Sequence, residues 1–407
     1  MAPCNKYRLP GFIGPVPPPL LISIFIFCSD IIAQLTRLVN SVVLICKIWS
    51  FGFNILKLLT LFFGNAIIAL EDFNMERINI DKLLDKFKKT VENHYLGNGA
   101  YARFLWQNPA GTRKMGINEY GCADAMNILY MLGEFPTGNH REQCLNALLS
   151  LQDKETGLFI EETHHKIHTT AHCTAAIELF DAVPLYPQTE LKKYFTNEGF
   201  TSLIESLNWN ELAWSESHQG AGIFVIATLT GNATLDWRRY YFDYLTKHCD
   251  ENVGMSKKGT VDMGCPQYYH LNGWFHYTFN YEYARMPQPY PEKLIDTCIR
   301  LYDERETMLS ANFGRIGFNE IDWVYVINRC SRQTPHRFYE VKERLEHFAD
   351  WFFKYLDSVD TETDDVWNDL HSLFGTLCAI AELQSALPGK IESTKPLRLV
   401  LDRRPFI

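Results

Sequence analysis

A chain of 407 residues that is 46% apolar and 14% aromatic can bury a large core, which excludes disorder over most of its length. The formal net charge of −9 is uneven: residues 1–74 carry five basic and three acidic groups, and the other 34 basic and 45 acidic residues give −11. An acidic body with no basic stripe excludes nucleic acid as the main partner, because phosphates call for clustered Lys and Arg.

The first segment differs from the rest. Residues 17–35 read PPPLLISIFIFCSDIIAQL, and residues 41–70 read SVVLICKIWSFGFNILKLLTLFFGNAIIAL. Gly52 to Leu70 come close to the roughly 20 apolar residues that span a bilayer, with Lys57 to place. A cleaved leader needs a basic start, a shorter apolar core and an early small-residue site, and the fit is poor. Residues 1–74 therefore read as a candidate membrane anchor, with membrane association through residues 19–70. The alternatives are a peripheral hydrophobic tail and an extension foreign to the fold, the latter because MERINIDKLLDKFKKTVENHYL from Met75 makes a sensible start for a soluble protein.

From Met75 the pattern is helical. Amphipathic segments alternate with segments that are apolar nearly all round. IDKLLDKFKKTVENHYL precedes NEYGCADAMNILYMLGEFP (118–136), and REQCLNALLSLQ precedes IHTTAHCTAAIELFDAVP (167–184). FTSLIESLNW precedes SHQGAGIFVIATLTGN (217–232), and WRRYYFDYLTKHC precedes QYYHLNGWFHYTFNYEYARMP (267–287). PEKLIDTCIRLYDE precedes NEIDWVYVINRCSRQTP (319–335), and RFYEVKERLEHFADWFFKYL precedes NDLHSLFGTLCAIAELQSALP (368–388). Asp124, His172, Ala221, Asn272, Asp322 and Ser372 mark comparable points about fifty residues apart. The charged-faced segments predict outer helices and the apolar ones buried inner helices. Six hairpins with an apolar inner ring predict an all-α (α/α)6 toroid over residues 75–390, followed by a tail at 391–407. An open solenoid is the alternative, but no capping repeat is visible.

The segment QDKETGLFIEETHHKIHTTAHCTAAIELF has an outer helix ending in Leu-Gln-Asp, a glycine turn and a polar lead into an inner helix. It resembles the α/α-toroid proteins: the six-hairpin glycosidases and uronate lyases and, more distantly, the terpenoid cyclases and prenyltransferases. The resemblance covers Met75 to about Pro388 as architecture, on a fold that hosts many chemistries. It implies that the segments leading into the inner helices gather at one end and line a central cavity.

Those segments read RKMGINEYGCAD, EETHHKIHTTAH, NELAWSESHQG, DMGCPQYYHLNGW, GRIGFNEIDW and DDVWNDLH. Singly, each suits a helix N-terminus, where Asp, Asn, Ser and Glu satisfy free N–H groups. Together, carboxylates, imidazoles and flat rings suit a polar ring-shaped substrate, a small molecule or oligosaccharide. Glycoside hydrolysis needs a proton donor and a second carboxylate. Glu119, Asp124, Glu211, Glu216, Asp262, Glu320, Asp322 and Asp369 are the candidates. Glu216, beside Trp214 and His218, is the expected acid, with Asp322 or Asp262 as its partner. Trp367 is expected in the same binding site. Uronate lyases and epimerases use His or Tyr as base, and His168, His172, His218, Tyr268, Tyr269, His270, Asn272 and Arg315 would supply that set. An isoprenoid-type enzyme on the same toroid and a non-catalytic scaffold are the remaining alternatives.

His164, His168 and His172 are spaced i, i+4, i+8, yet no H-E-x-x-H occurs and neither the zinc set of the prenyltransferases nor the D-x-D-D acid motif is reproduced. No metal and no cofactor are expected. Cys122, Cys173, Cys265, Cys330 and Cys378 fall in or beside helical patterns with no C-x-x-C pair, which reads as reduced core thiols and a reducing compartment. Asn232-Ala-Thr is a glycosylation sequon that matters only in a secreted body.

Overall fold

The structure, a computed structural model, describes residues 77–304 and 317–407. The expected anchor within residues 1–74 and the candidate Arg315 lie outside the described residues. Among the described residues no helix is long and apolar enough to cross a membrane.

Among the described residues, twelve longer helices follow in chain order. They are α1 (Asp81–Asn93), α2 (Glu119–Met131), α3 (Gly138–Leu149), α4 (Lys166–Glu178), α5 (Asn197–Ser206) and α6 (Ala213–Leu229). Then come α7 (Leu235–His248), α8 (Gln267–Ala284), α9 (Pro291–Asp303), α10 (Phe318–Ser331), α11 (Phe338–Ser358) and α12 (Leu370–Ala386). Among the described residues, the strands form three two-stranded ladders. Ile78–Asn79 pairs in parallel with Ile391–Glu392, while Tyr95–Gly97 with Ala100–Tyr101, and Cys249–Asp250 with Met255–Lys257, form antiparallel hairpins.

The even-numbered helices are the inner ones. Helix α2 packs on α4, α4 on α6, α6 on α8, α8 on α10, α10 on α12, and α12 returns to α2. Their middles are buried on every side, from Tyr120–Ile128 in α2 to Leu373–Leu383 in α12. A helix without a polar face is stable only where neighbours cover it all round. The odd-numbered helices keep a charged face to solvent and lay the other on the ring: α1 buries Phe87 and Val91, and α9 buries Leu294, Ile295, Cys298 and Leu301. Close approach depends on small residues at α6–α8, where a Cβ on Gly273 would fall 2.2 Å from Ser217 Oγ.

Residues 391–407, expected as a C-terminal tail, belong to the same compact unit, which runs from Arg77 to Ile407. Arg403 pairs with Glu178 of α4, Asp402 with Arg329 of α10, and Pro405 O accepts from Asn280 of α8. Phe406 and Ile407 are fully buried.

Candidate active site

Side-chain N-caps set the first turn of three inner helices, α2, α4 and α12. The Asn118 side chain accepts from Tyr120 N and Gly121 N at the start of α2, and His165 Nδ1 accepts from Ile167 N before α4. Asp369 Oδ1 accepts from His371 N as α12 begins. Satisfying these orphan N–H groups fixes the helix start, and therefore the direction of the residues one turn on. Tyr120, His168, His218, His276, Asp322 and His371 come from six different inner helices to the same region.

A cavity of about 440 Å³ opens there. Its walls include His164, His165, His168, His218, His276 and His371, the carboxyls Asp322 and Glu211, and the rings of Trp214, Tyr269, Phe275 and Phe318. Ile407 of the tail also lines it, with Phe406 beneath, 4.9 Å from the His168 ring and 5.5 Å from the His276 ring.

Tyr120 is the post around which the imidazoles assemble. Its ring stacks on His164 at 4.6 Å and on His172 at 4.8 Å, and meets His371 edge-on at 4.5 Å. Its hydroxyl lies 2.7 Å from His168 Nδ1, and His168 Nε2 lies 3.3 Å from His276 Nε2. His276 Nδ1 is 3.0 Å from Asn272 O, which fixes the tautomers. His276 donates from Nδ1 to the carbonyl, His168 donates from Nε2 to His276, and Tyr120 donates to His168. All three groups are neutral in that arrangement.

Beneath them Asp124 joins two more rings: Oδ1 is 2.8 Å from His172 Nε2 and Oδ2 is 3.0 Å from His371 Nδ1. Burial resists ionising Asp124, but the two imidazole partners outweigh it and hold the carboxyl below its usual range. Burial lowers His371 despite the Asp124 charge, so its ring is neutral at pH 7. With its Nδ1 proton committed to Asp124, His371 turns a free Nε2 lone pair to the cavity it lines.

Arg103 braces this dyad. It clamps Asp369 through Nε to Oδ1 at 2.9 Å and Nη2 to Oδ2 at 3.1 Å, and it holds Glu161 and Thr163 with Nη1. A bidentate Arg–carboxylate pair at the cap of α12 fixes the turn that carries His371.

The opposite protonation behaviour appears on α10. Glu320 Oε2 accepts from Gly317 N at 2.8 Å, and burial raises its carboxyl to about 7. Asp322, two residues on, is raised far above the usual range by burial and then by the Glu320 charge. Its Oδ1 is buried without a hydrogen-bond partner, as is Nε2 of His218, whose Nδ1 bonds Trp214 O at 2.9 Å. Burial thus favours the protonated form of Asp322, in the same cavity as a neutral, carboxylate-held imidazole.

The chain matches no protein-family model, no curated protein and no solved structure.

Of the residues anticipated from sequence, Asp322, His168, Trp214, His218 and Tyr269 line the cavity, and Asp124, His172 and Asn272 support it from behind. Glu216 does not line it: its Oε2 accepts from Asn208 N at 2.7 Å, as a first-turn carboxylate of α6. Asp262 is exposed and accepts from Gln267 Nε2 at 3.1 Å. Glu119 is buried in the first turn of α2, 3.7 Å from Lys114 Nζ, and Glu320 caps Gly317. Trp367 packs on Phe87 at 4.9 Å, Tyr268 packs on Tyr269, and His270 bonds Ser256 and Cys265. His371 and His276 were not among the site residues expected from sequence. His276 lies four residues beyond Asn272, one turn along the same face, and that spacing could have found it.

Asp124, His172 and His371 also offer one ligand atom each within 4.8 Å, a spacing that a divalent transition metal could bridge. Two observations disfavour it. A metal-bound imidazole normally donates its other nitrogen to an acceptor, yet His172 Nδ1 is buried with none. The buried Arg404 guanidinium also acts electrostatically on the same carboxylate, and a second cation would add to that charge.

Proposed function

We propose that this chain is a carbohydrate-active enzyme built on an (α/α)6 toroid, and that its reaction is proton transfer at a carbon beside a carbonyl, as in an epimerase or lyase. The ring of inner helices in which the sixth packs on the first supports the toroid. The reaction type rests on one observation: His371, held by Asp124, and the buried Asp322, whose environment favours the protonated carboxyl, line one cavity.

His371 Nε2 takes the carbon-bound proton while the Asp322 hydroxyl delivers its own to the substrate oxygen that gains charge. The ring becomes positive as the carboxyl becomes negative, so the cavity's net charge is unchanged during the step. Neither charge is left unbalanced in a low-dielectric site, where isolation would be costly. Trp214 and Tyr269, 5.8 Å apart, offer flat apolar surfaces to a sugar ring, and the cavity volume falls within the range of small-molecule sites, about 300–1,000 Å³.

Glycoside hydrolysis is the second reading, because Glu211 lines the same cavity as Asp322 and could serve as its base. Incubating the protein in D2O with a panel of neutral sugars, uronates and disaccharides separates the two. Deuterium appearing on a substrate or product carbon is expected. Release of new reducing ends without deuterium would replace proton transfer by hydrolysis, and no turnover of either kind would defeat both.

A further inference from the structure

A second constellation lies outside the cavity walls. Cys265 Sγ is 3.5 Å from His270 Nε2, and His270 Nδ1 is 2.8 Å from Ser256 Oγ. Cys265 is half-buried, while each of the other described cysteines is buried. Those buried thiols are inert: desolvation raises Cys122 to about 12 and Cys144 to about 11, for example. His270 itself is 1% exposed, and burial, against the opposing charge of Asp262, pushes it down to about 4. It is thus a neutral proton acceptor at pH 7.

The geometry is built. Ser256 is a non-glycine residue at φ 63°, a left-handed conformation that costs free energy and persists only when its surroundings impose it. The Met255–Lys257 ladder with Cys249–Asp250 does so, and it aims the buried hydroxyl at His270. On the other side, Cys265 N donates to Asn210 O at 2.8 Å, immediately before Glu211 and Leu212 of the cavity wall. A nucleophile, a base within reach of its proton and a third group orienting the base are all present.

We propose that Cys265, His270 and Ser256 form a thiol-addition site beside the cavity mouth that takes small α,β-unsaturated carbonyl compounds. The sulfur pair forms a bond to the β-carbon as the S–H proton passes to His270 Nε2. The displaced π electrons move toward the carbonyl, and the resulting enolate takes the proton back from His270 at its α-carbon. The sum is addition of S–H across C=C, with no oxidant and no leaving group. Ser256 accepts the Nδ1 proton bond that keeps Nε2 free and stabilises the imidazolium that forms. The site is independent of the carbohydrate reading, since none of its three residues lines the cavity.

The test uses the full chain and N-ethylmaleimide, supplied below one equivalent at pH 7, with modified cysteines located by mass spectrometry. Cys265 is expected to react first, and at least about tenfold faster than glutathione in the same buffer, since positioned general bases contribute about 10²-fold or more. Urea-unfolded protein is expected to lose that advantage. His270→Asn is expected to slow Cys265 to the glutathione rate, and Ser256→Ala to slow it partially. A Cys265 rate equal to or below that of glutathione, or another cysteine modified ahead of it, overturns the proposal. If His270→Asn does not fold, Ser256→Ala decides: slowing supports the site, and an unchanged rate overturns it.

Discussion

Replacing Asp124 by Asn changes one atom and removes the charge that organises the base. Asp124 accepts from His172 at 2.8 Å and from His371 at 3.0 Å, both fully buried. An asparagine keeps one acceptor oxygen and presents an NH2 to the other ring, so one imidazole must move its proton to the far nitrogen. Hydrogen bonds to a charged group contribute about 1.5–3 kcal/mol each, and the amide restores part of that. A net loss of about 2–3 kcal/mol follows, or a melting temperature lower by about 5 °C or more. If His371 is the ring that flips, its Nε2 carries the proton into the cavity and no longer accepts one. Deuterium-exchange turnover should then fall by about 10²–10⁴-fold, the usual contribution of a positioned base. Long-range 15N–1H spectra of the histidine rings read the tautomer directly. They should report Nδ1–H for His371 in the parent protein and Nε2–H in the variant. A parent His371 that is doubly protonated at pH 7, or a variant with unchanged tautomer and turnover, would refute the reasoning.

Asp322→Asn should leave the fold intact, because the carboxyl it replaces is already neutral, while turnover drops by about 10²-fold or more; melting curves and deuterium exchange on the same sample check both halves. Glu320 is raised to about 7 in the folded chain against 4.5 when unfolded, so the native state binds more protons between those values. Its stabilising share is present in acid and lost as pH rises toward 7, at most about 3 kcal/mol from the size of the shift. Urea melts from pH 4.5 to 8 should show stability falling with pH less steeply in Glu320→Gln than in the parent. Dialysis against a chelator should leave the melting temperature unchanged; a stoichiometric transition metal lost together with stability would instead assign Asp124, His172 and His371 as its ligands.

Much of this was legible in the chain because helices write their burial into their period. The charged face of α11 and the all-round apolar surface of α12 follow from residues three and four apart, and the same periods predict an all-helical body. The site was half legible. Asp322 stood among the lead-in carboxylates as one of two possible partners for Glu216, and it lines the cavity. Glu216 was over-read: a first-turn carboxylate also satisfies free backbone N–H groups, and proximity to Trp214 and His218 in sequence does not decide which way it turns. His371 went unnoticed because only one histidine stands in that lead-in, and its importance comes from Asp124, 247 residues earlier. The burial of Phe406 and Ile407 left no periodic trace, since the tail is positioned by ion pairs of Asp402 and Arg403 with distant helices and by no repeat.

The central claim is that a neutral acid and a neutral base share one cavity. Selective 13C labelling of aspartate, with Asp322→Asn to assign the signal, follows the Asp322 carboxyl through a pH titration. The account expects that carboxyl to remain protonated at pH 7 while the His371 ring is neutral. A carboxyl titrating near 4, as an ordinary surface aspartate does, would contradict it.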